Sequence, residues 1–270
     1  MGANGHESIT AEKSITHLLA IAGDLGVPLR PGLRVLDLGC GWGHTVAALL
    51  GRGYDAWGVD IQANWVTLRN QRAPVTPDVE ARLRIAELTP YRLPFDDEAF
   101  DLVLSQQVFE HVMDYEATLR EVARVLARDG IAVNQFPSRW QPREQHVHIP
   151  LANVFRPRPY LAFWAFLGLR NEYQQGLTWR EVVDRNVAYL RDRTNYPTNR
   201  AIRRFARRAG VEIDFAPELW VKHHPGRNGR IVRMATAPFP RWLARLGAAA
   251  FAAISQRIMV VRRNGARRDP

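Results

Sequence analysis

Apolar positions along this chain follow two rhythms. In ITAEKSITHLLAIAGDLG they fall at helical spacing (Ile15, Leu18, Leu19, Ala22), and Gly26 with Pro28 ends the run. RVLDLG is a short continuous apolar run, expected as a buried strand, and HTVAALLGRG behind it reads as a helix closed by Gly53. AWGVDI is a second strand ending at Asp60, and NWVTLRNQRA reads as a helix up to Pro74. AFDLVLSQQ is a third strand, DYEATLREVARVLARDG an amphipathic helix closed by Gly130, and IAVNQFPS the next strand. Strands alternating with helices predict an α/β fold with a parallel sheet.

The rhythm breaks after Ser138. Residues 139–208 carry no clear strand but hold prolines at 142, 150, 157 and 159, the aromatic run Tyr160, Phe163, Trp164 and Phe166, and charged helical stretches. Strand patterns return at VEIDFAPELWV and RIMVVRR, with the apolar helix PRWLARLGAAAFAAISQ between them. The expected organisation is a single domain over 1–270: a Rossmann-like parallel sheet with an antiparallel C-terminal strand, plus a mostly helical insertion at 139–208.

Charge divides the chain at the same place. Residues 1–138 hold 12 basic and 18 acidic residues, a net of −6, whereas 139–270 hold 25 basic and 9 acidic, a net of +16. The basic half calls for an anionic partner or a solvated arginine face. Only Lys13 and Lys222 are lysines. One cysteine, Cys40, excludes an internal disulfide. No run of 18 apolar residues and no basic-then-apolar leader is present, so a cytoplasmic protein is expected, with peripheral membrane contact open through the aromatic run.

The stretch DLGCGWGHT carries the chemistry. Its glycines, Gly39, Gly41 and Gly43, follow a strand and open a helix, at the end of the sheet where open parallel folds bind nucleotides. The spacing is G-x-G-x-G, with His44 where a dinucleotide loop has its third glycine, and Asp37 precedes it. An acid there suits a cofactor with a positive centre better than a pyrophosphate. Taken with GVDI and with LPFDDEAFDLVLSQQVFEHVMDYEATLREVARVLARDG, the segment 34–138 resembles the class I S-adenosylmethionine-dependent methyltransferases, in the methyltransferase-11-like or UbiE-like branch.

That resemblance implies S-adenosylmethionine as cofactor. It implies that Gly39, Gly41 and Gly43 let the backbone approach the methionine part and that Asp37 orients the loop. Asp60 would accept from both ribose hydroxyls, Ile61 would pack on adenine, and Gln106 and Gln107 would lie beside the methionine chain and the methyl. Relatives usually carry an acid four residues before LPF; here Thr89 stands there, and Glu87 is the substitute.

The acceptor side is less explicit. The Pro-Pro-aromatic motif of base-methylating relatives is replaced by SQQVFEH, and no RNA-binding signature appears, which makes nucleic acid the weaker partner. The expected reaction is O-methylation of a small-molecule, sugar/glycan or lipid-linked acceptor. The alternatives are RNA methylation through the basic half, or a non-catalytic homologue that binds cofactor only. Candidate bases are His111 of EHV and His146 and His148 of REQHVHIPL, the latter two pointing the same way if the segment is extended. With Glu144 they also offer half a metal site, but no metal is expected. His223 and His224 follow a later strand and could join them.

Overall fold

The computed structural model describes residues 3–67, 75–223 and 240–265. Helix α1 (Ala3–Asp24) leads to β1 (Arg34–Leu38), α2 (His44–Gly51), β2 (Asp55–Asp60), the short α3 (Asn64–Thr67) and α4 (Pro77–Glu80), and β3 (Leu83–Ile85). A small hairpin of β4 (Glu87–Leu88) and β5 (Tyr91–Arg92) precedes β6 (Phe100–Gln106), α5 (Tyr115–Val125) and β7 (Leu126–Pro137). The remainder is α6 (Arg158–Phe166), α7 (Trp179–Asp192), α8 (Asn199–Ala209), β8 (Val211–Phe215), α9 (Pro217–His223), α10 (Arg241–Ala253) and β9 (Gln256–Arg263).

Seven strands form one sheet in the order β3-β2-β1-β6-β7-β9-β8. The first four neighbouring pairs are parallel, and β9 runs antiparallel to both β7 and β8. This is the expected Rossmann-like sheet with its antiparallel C-terminal strand. The central strands are buried on both faces, which explains their continuous apolar runs. Val35, Leu102, Leu104 and Val133 face the side covered by α1, α2 and α9, whereas Leu36, Val103, Ala132 and Met259 face α5 and α8. Each of the larger of these side chains, the valines, leucines and Met259, stabilises the fold by about 1.5–3 kcal/mol through burial. Helix α5 turns Tyr115, Leu119, Val122 and Val125 inward, and its first turn is capped by Asp114, which accepts from the Ala117 N–H at 2.9 Å.

Two boundaries differ from the sequence expectation. Helix α5 stops at Val125 rather than at Gly130, because Leu126 pairs with Phe100 and the chain enters the sheet there. The strand expected over 211–221 ends at Phe215, and Pro217 opens α9, a position where its missing N–H costs nothing. The helix expected over 64–73 is described only as far as Thr67.

Within 139–208 the regular elements are helices, in line with the mostly helical segment expected, but they serve two structures. Val147, Ile149, Ala152, Leu161 and Leu190 build a core of their own, and Ala165, Val182 and Val183 build a second. Helix α8 instead packs Ile202 and Ala206 into the main core beside α5. Of the aromatic run on α6, Leu161 and Ala165 are buried, whereas Phe163 and Phe166 are exposed. Among the described residues no helix is long and apolar enough to cross a membrane.

Candidate active site

All three glycines of the loop after β1 have positive φ: 80° at Gly39, 53° at Gly41 and 82° at Gly43. L-residues avoid this region, which is why the loop is written in glycine. Space divides their roles. A Cβ at Gly39 would collide with the Val108 side chain, and one at Gly43 would stand 2.8 Å from Leu83 Cδ1; at Gly41 it would meet nothing within 4 Å. Two glycines therefore let the protein close on itself, and only Gly41 borders open space.

Asp60 organises this loop from the end of β2. Its Oδ2 accepts from the Gly41 N–H at 2.8 Å, and its Oδ1 from Ile61 N at 2.7 Å and Gln62 N at 3.2 Å. A carboxylate has about four acceptor positions, so capacity remains for two hydroxyl donors. Ile61 is 47% exposed directly beside it. Asp37 is only 6% exposed and has no hydrogen-bond partner among the described residues. Burial, with the charge of Asp60 added, pushes its carboxyl up to about 7. A buried acid with no cation beside it is costly, and a positively charged ligand lowers that cost.

The other predicted cofactor residues sit at the same end of the sheet. Ala86 donates to the Asp60 carbonyl at 2.9 Å, so Glu87, exposed on β4, follows at the carboxyl ends of β2 and β3. Gln106 ends β6. Gln107 adopts φ 56°, donates its N–H to the Gln135 carbonyl, and turns its amide across the sheet end to Gln256 at 3.2 Å. Val108, which fills the space beside Gly39, belongs to the same loop, so the segment after β6 lies against the glycine loop.

That segment leads into a cluster of titratable groups. His146 Nδ1 lies 2.7 Å from Glu144 Oε1, while Glu144 Oε2 accepts from the N–H groups of His146 and Val147, and the Tyr196 hydroxyl donates to Oε1 at 2.9 Å. Since the carboxylate accepts, His146 carries its proton on Nδ1 and leaves Nε2 open. His111 Nδ1 donates in the same way to the Arg193 carbonyl at 2.6 Å, and its ring stands 4.8 Å from that of His146. Tyr189 also packs against His146, with ring centroids 5.3 Å apart. Glu110 is 1% exposed, and neither carboxyl oxygen has a hydrogen-bond partner among the described residues.

The environments drive these groups apart. Burial disfavours the His146 cation, but its hydrogen bond to Glu144 and the charges of Glu144 and Glu110 carry its pKa above the ordinary value. Against the same burial penalty, hydrogen bonds from His146 and Val147 hold Glu144 below the usual range. Burial lowers His111 and pushes Glu110 up to about 7. One donor atom each from Glu110, His111 and His146 lies within 4.8 Å of the others, a grouping able to hold a metal ion as well as to handle protons.

Not every predicted residue joins this cluster. His148 was expected to point with His146, but Arg143 to Pro150 closes as a tight loop rather than an extended strand: Glu144 N donates to the Ile149 carbonyl, His148 N to the Glu144 carbonyl, and His148 has φ 63°. The period-two rule does not apply in a turn. His223 pairs with Asp24 at 2.7 Å, between α9 and α1; His224 lies outside the described residues. Sequence reasoning did not single out Glu110 or Tyr196. The glutamate's place next to His111 was a signal for the first; for the second there was none.

Residues 36–134 match the Methyltransferase domain family. Over 97 residues the chain is 37% identical to the uncharacterized methyltransferase YcgJ of Bacillus subtilis, covering 36% of this chain and 38% of that protein. Over 133 residues it is 34% identical to the 27-O-demethylrifamycin SV methyltransferase of Amycolatopsis mediterranei, covering 48% of each. The chain thus matches less than half the length of these curated relatives. In fold it is similar to an S-adenosylmethionine-dependent methyltransferase of Mesorhizobium loti, with a TM-score of 0.50, 19% identity, and coverage of 90% of this chain and 98% of that one. Residues 36–134 are thus similar to a methyltransferase domain, and they lie within a sheet that has the strand order expected of a Rossmann-like fold.

Proposed function

We propose that this protein transfers the methyl group of S-adenosylmethionine to a hydroxyl oxygen of a small-molecule, glycan or lipid-linked acceptor, with His146 as general base and Glu144 as the group that orients it. The observation that carries this reading is the Glu144–His146 pair, set 4.8 Å from His111 in the loop that packs against the glycine loop. The name of the Amycolatopsis relative, a 27-O-demethylrifamycin SV methyltransferase, also points to oxygen.

Asp37, Asp60, Gly41 and Ile61 form a cradle whose acidity and open space suit the cofactor, with Glu87 at its edge and Gln106 and Gln107 toward the acceptor. When bound, S-adenosylmethionine supplies a methyl carbon with a neutral thioether as leaving group. What remains for the protein is alignment and a proton. The acceptor hydroxyl gives its proton to His146 Nε2, and Glu144 stabilises the imidazolium that results. Tyr196 and the two backbone N–H groups keep Glu144 ionised and fixed. His111 stays neutral through burial, so it adds no positive charge beside the imidazolium that forms on His146.

The test is turnover on a panel of hydroxylated acceptors, with S-adenosylmethionine binding measured alongside. His146→Ala should lose about 10²–10⁴-fold in kcat with cofactor binding intact, and His148→Ala should lose little. Wild-type turnover should survive exhaustive chelation. A full rate in His146→Ala removes the base from this reading. Loss of activity on chelation, restored by a divalent ion, would turn Glu110, His111 and His146 from proton handlers into metal ligands.

A further inference from the structure

One pair of charges beside this site has no role in the chemistry above. Arg139, just past β7, and Arg257, the second residue of β9, line a cavity of about 390 Å³ with Trp140, Thr198, Asn199 and Phe215. Arg257 is 8% exposed, lies 5.6 Å over the Phe136 ring, and donates from Nη1 to the Pro197 carbonyl at 2.9 Å. Arg139 donates from Nη1 to the Tyr196 carbonyl at 3.0 Å, and its Nε is buried with no partner among the described residues. Neither guanidinium has a carboxylate partner among the described residues. Burial, with the charge of Arg139 added, lowers the Arg257 pKa to about 10, the mark of a cation short of counter-charge.

A third source of positive potential faces the same space. Thr198 caps α8, accepting from Ala201 N at 3.2 Å, and Asn199 is its first residue, so the amino end of an 11-residue helix opens on the cavity. Exposed N–H groups and the helix dipole both favour an anion there.

The cavity adjoins the proposed methyl-transfer centre on two sides. Gln256 lines it and accepts from the Gln107 amide. Tyr196 presents its hydroxyl to Glu144 and its carbonyl to Arg139, so Tyr196 and Glu144 stand between Arg139 and His146. Asn195 ties this wall to the histidine loop, donating to the Glu110 carbonyl at 2.7 Å and to the Val112 carbonyl at 3.0 Å.

We infer that this cavity is the anion subsite of the acceptor and takes a phosphoryl group, held by Arg139 and Arg257 and by the amino end of α8, while the acceptor's hydroxyl reaches His146. Two guanidiniums and a helix end supply more than one positive charge and several divergent donors. That fits the tetrahedral, multiply charged phosphoryl group better than a single flat carboxylate. Trp140 and Phe215 give an apolar wall to whatever the phosphoryl group is attached to.

The inference rests on the methyl-transfer reading for its meaning, and its test does not require turnover. Inorganic phosphate is titrated calorimetrically at constant ionic strength into wild type, Arg139→Gln and Asn199→Asp, with acetate as competitor and S-adenosylmethionine titrated into the same samples. Because Arg139 also braces Tyr196, Asn199→Asp is the decisive variant: an acid at the first position of α8 suits the helix and repels the anion. Saturable phosphate binding that weakens about tenfold or more in both variants, resists acetate, and leaves cofactor binding intact supports the subsite. No phosphate binding to wild type, equal binding to Asn199→Asp, or equal competition by acetate overturns it. If phosphate behaves as expected and S-adenosylmethionine fails to bind, the methyl-transfer reading falls and the anion subsite stands.

Discussion

The cofactor side and the acceptor side of this molecule are built on different plans. On the cofactor side, each functional residue is fixed by its neighbours in sequence: a strand ends, glycines turn the chain, and Asp60 closes the next strand 17 residues after Gly43. On the acceptor side, nothing local suffices. The proposed base needs Glu144 and His146 from the loop after β7, His111 from the loop after β6, and Tyr196 from beyond α7; the proposed anion subsite adds Arg139 and Arg257, more than 100 residues apart. The matched family segment, 36–134, ends before all of these residues except His111. A shared cofactor asks for the same local geometry in every relative, whereas an acceptor pocket is assembled by whatever the insertion brings to the sheet end.

The sharpest way to break this contrast is at Asp60. If the cofactor side is as local as it looks, Asp60→Ala removes both the acceptor for the ribose hydroxyls and the anchor for Gly41 N. Two hydrogen bonds to a charged group put the loss of S-adenosylmethionine affinity at about 10²–10⁴-fold, read by calorimetry. Phosphate binding at Arg139 and Arg257 should not change. A parallel loss of both would mean that the two sides fold as one unit.

A smaller effect separates glycines that serve the fold from the one that serves the ligand. Gly39→Ala puts a methyl into Val108 at a left-handed φ, and should cost about 2–4 kcal/mol of stability, seen as a lower Tm without cofactor. Gly41→Ala meets open space and should cost only about 1 kcal/mol, its main effect being weaker cofactor binding. Equal Tm losses would show that the open space at Gly41 has no bearing on the ligand.

The same contrast explains what the sequence could reveal. The sheet, its antiparallel strand and the glycine loop were legible because burial on both faces writes apolar runs and positive φ writes glycine. Helix α5 was read too long because Leu126, Ala127 and Arg128 continue a helical pattern while the pairing of Leu126 with Phe100 decides the outcome. His148 was read as a partner of His146 because spacing says nothing of a turn until the bridge between Arg143 and Pro150 is seen. Glu144 was noticed only as a potential ligand; its use, accepting from one ring, two backbone N–H groups and a distant tyrosine, is a tertiary fact. Arg257 was one arginine in a basic half, and only its burial beside Arg139 distinguishes it from solvated ones.

The finest test addresses the pair itself. His146 must be neutral to accept a proton, so the rate should rise with pH as its imidazolium deprotonates. That rise lies above the ordinary histidine value, because Glu144 and Glu110 raise the His146 pKa in spite of burial. The groups facing His146 are Glu144 at 2.7 Å, the rings of His111 and Tyr189, and Glu110; Tyr196 acts on it only through Glu144. Glu144→Gln keeps the shape and an oxygen for Nδ1 but removes the charge. The acid limb should therefore move to lower pH while the plateau falls about ten- to a hundredfold, because the imidazolium loses its counter-charge. Glu110, pushed to about 7 by burial, titrates near the same window, so the comparison is repeated with Glu110→Gln as background. A limb that stays in place in both backgrounds would mean that the proton leaves the acceptor by another route and that Glu144 only shapes the loop. A limb that moves with little loss of plateau would assign the acceptor an oxygen acidic enough to give up its proton without help. That outcome would place more of the substrate's identity in its own pKa and less in the protein's base.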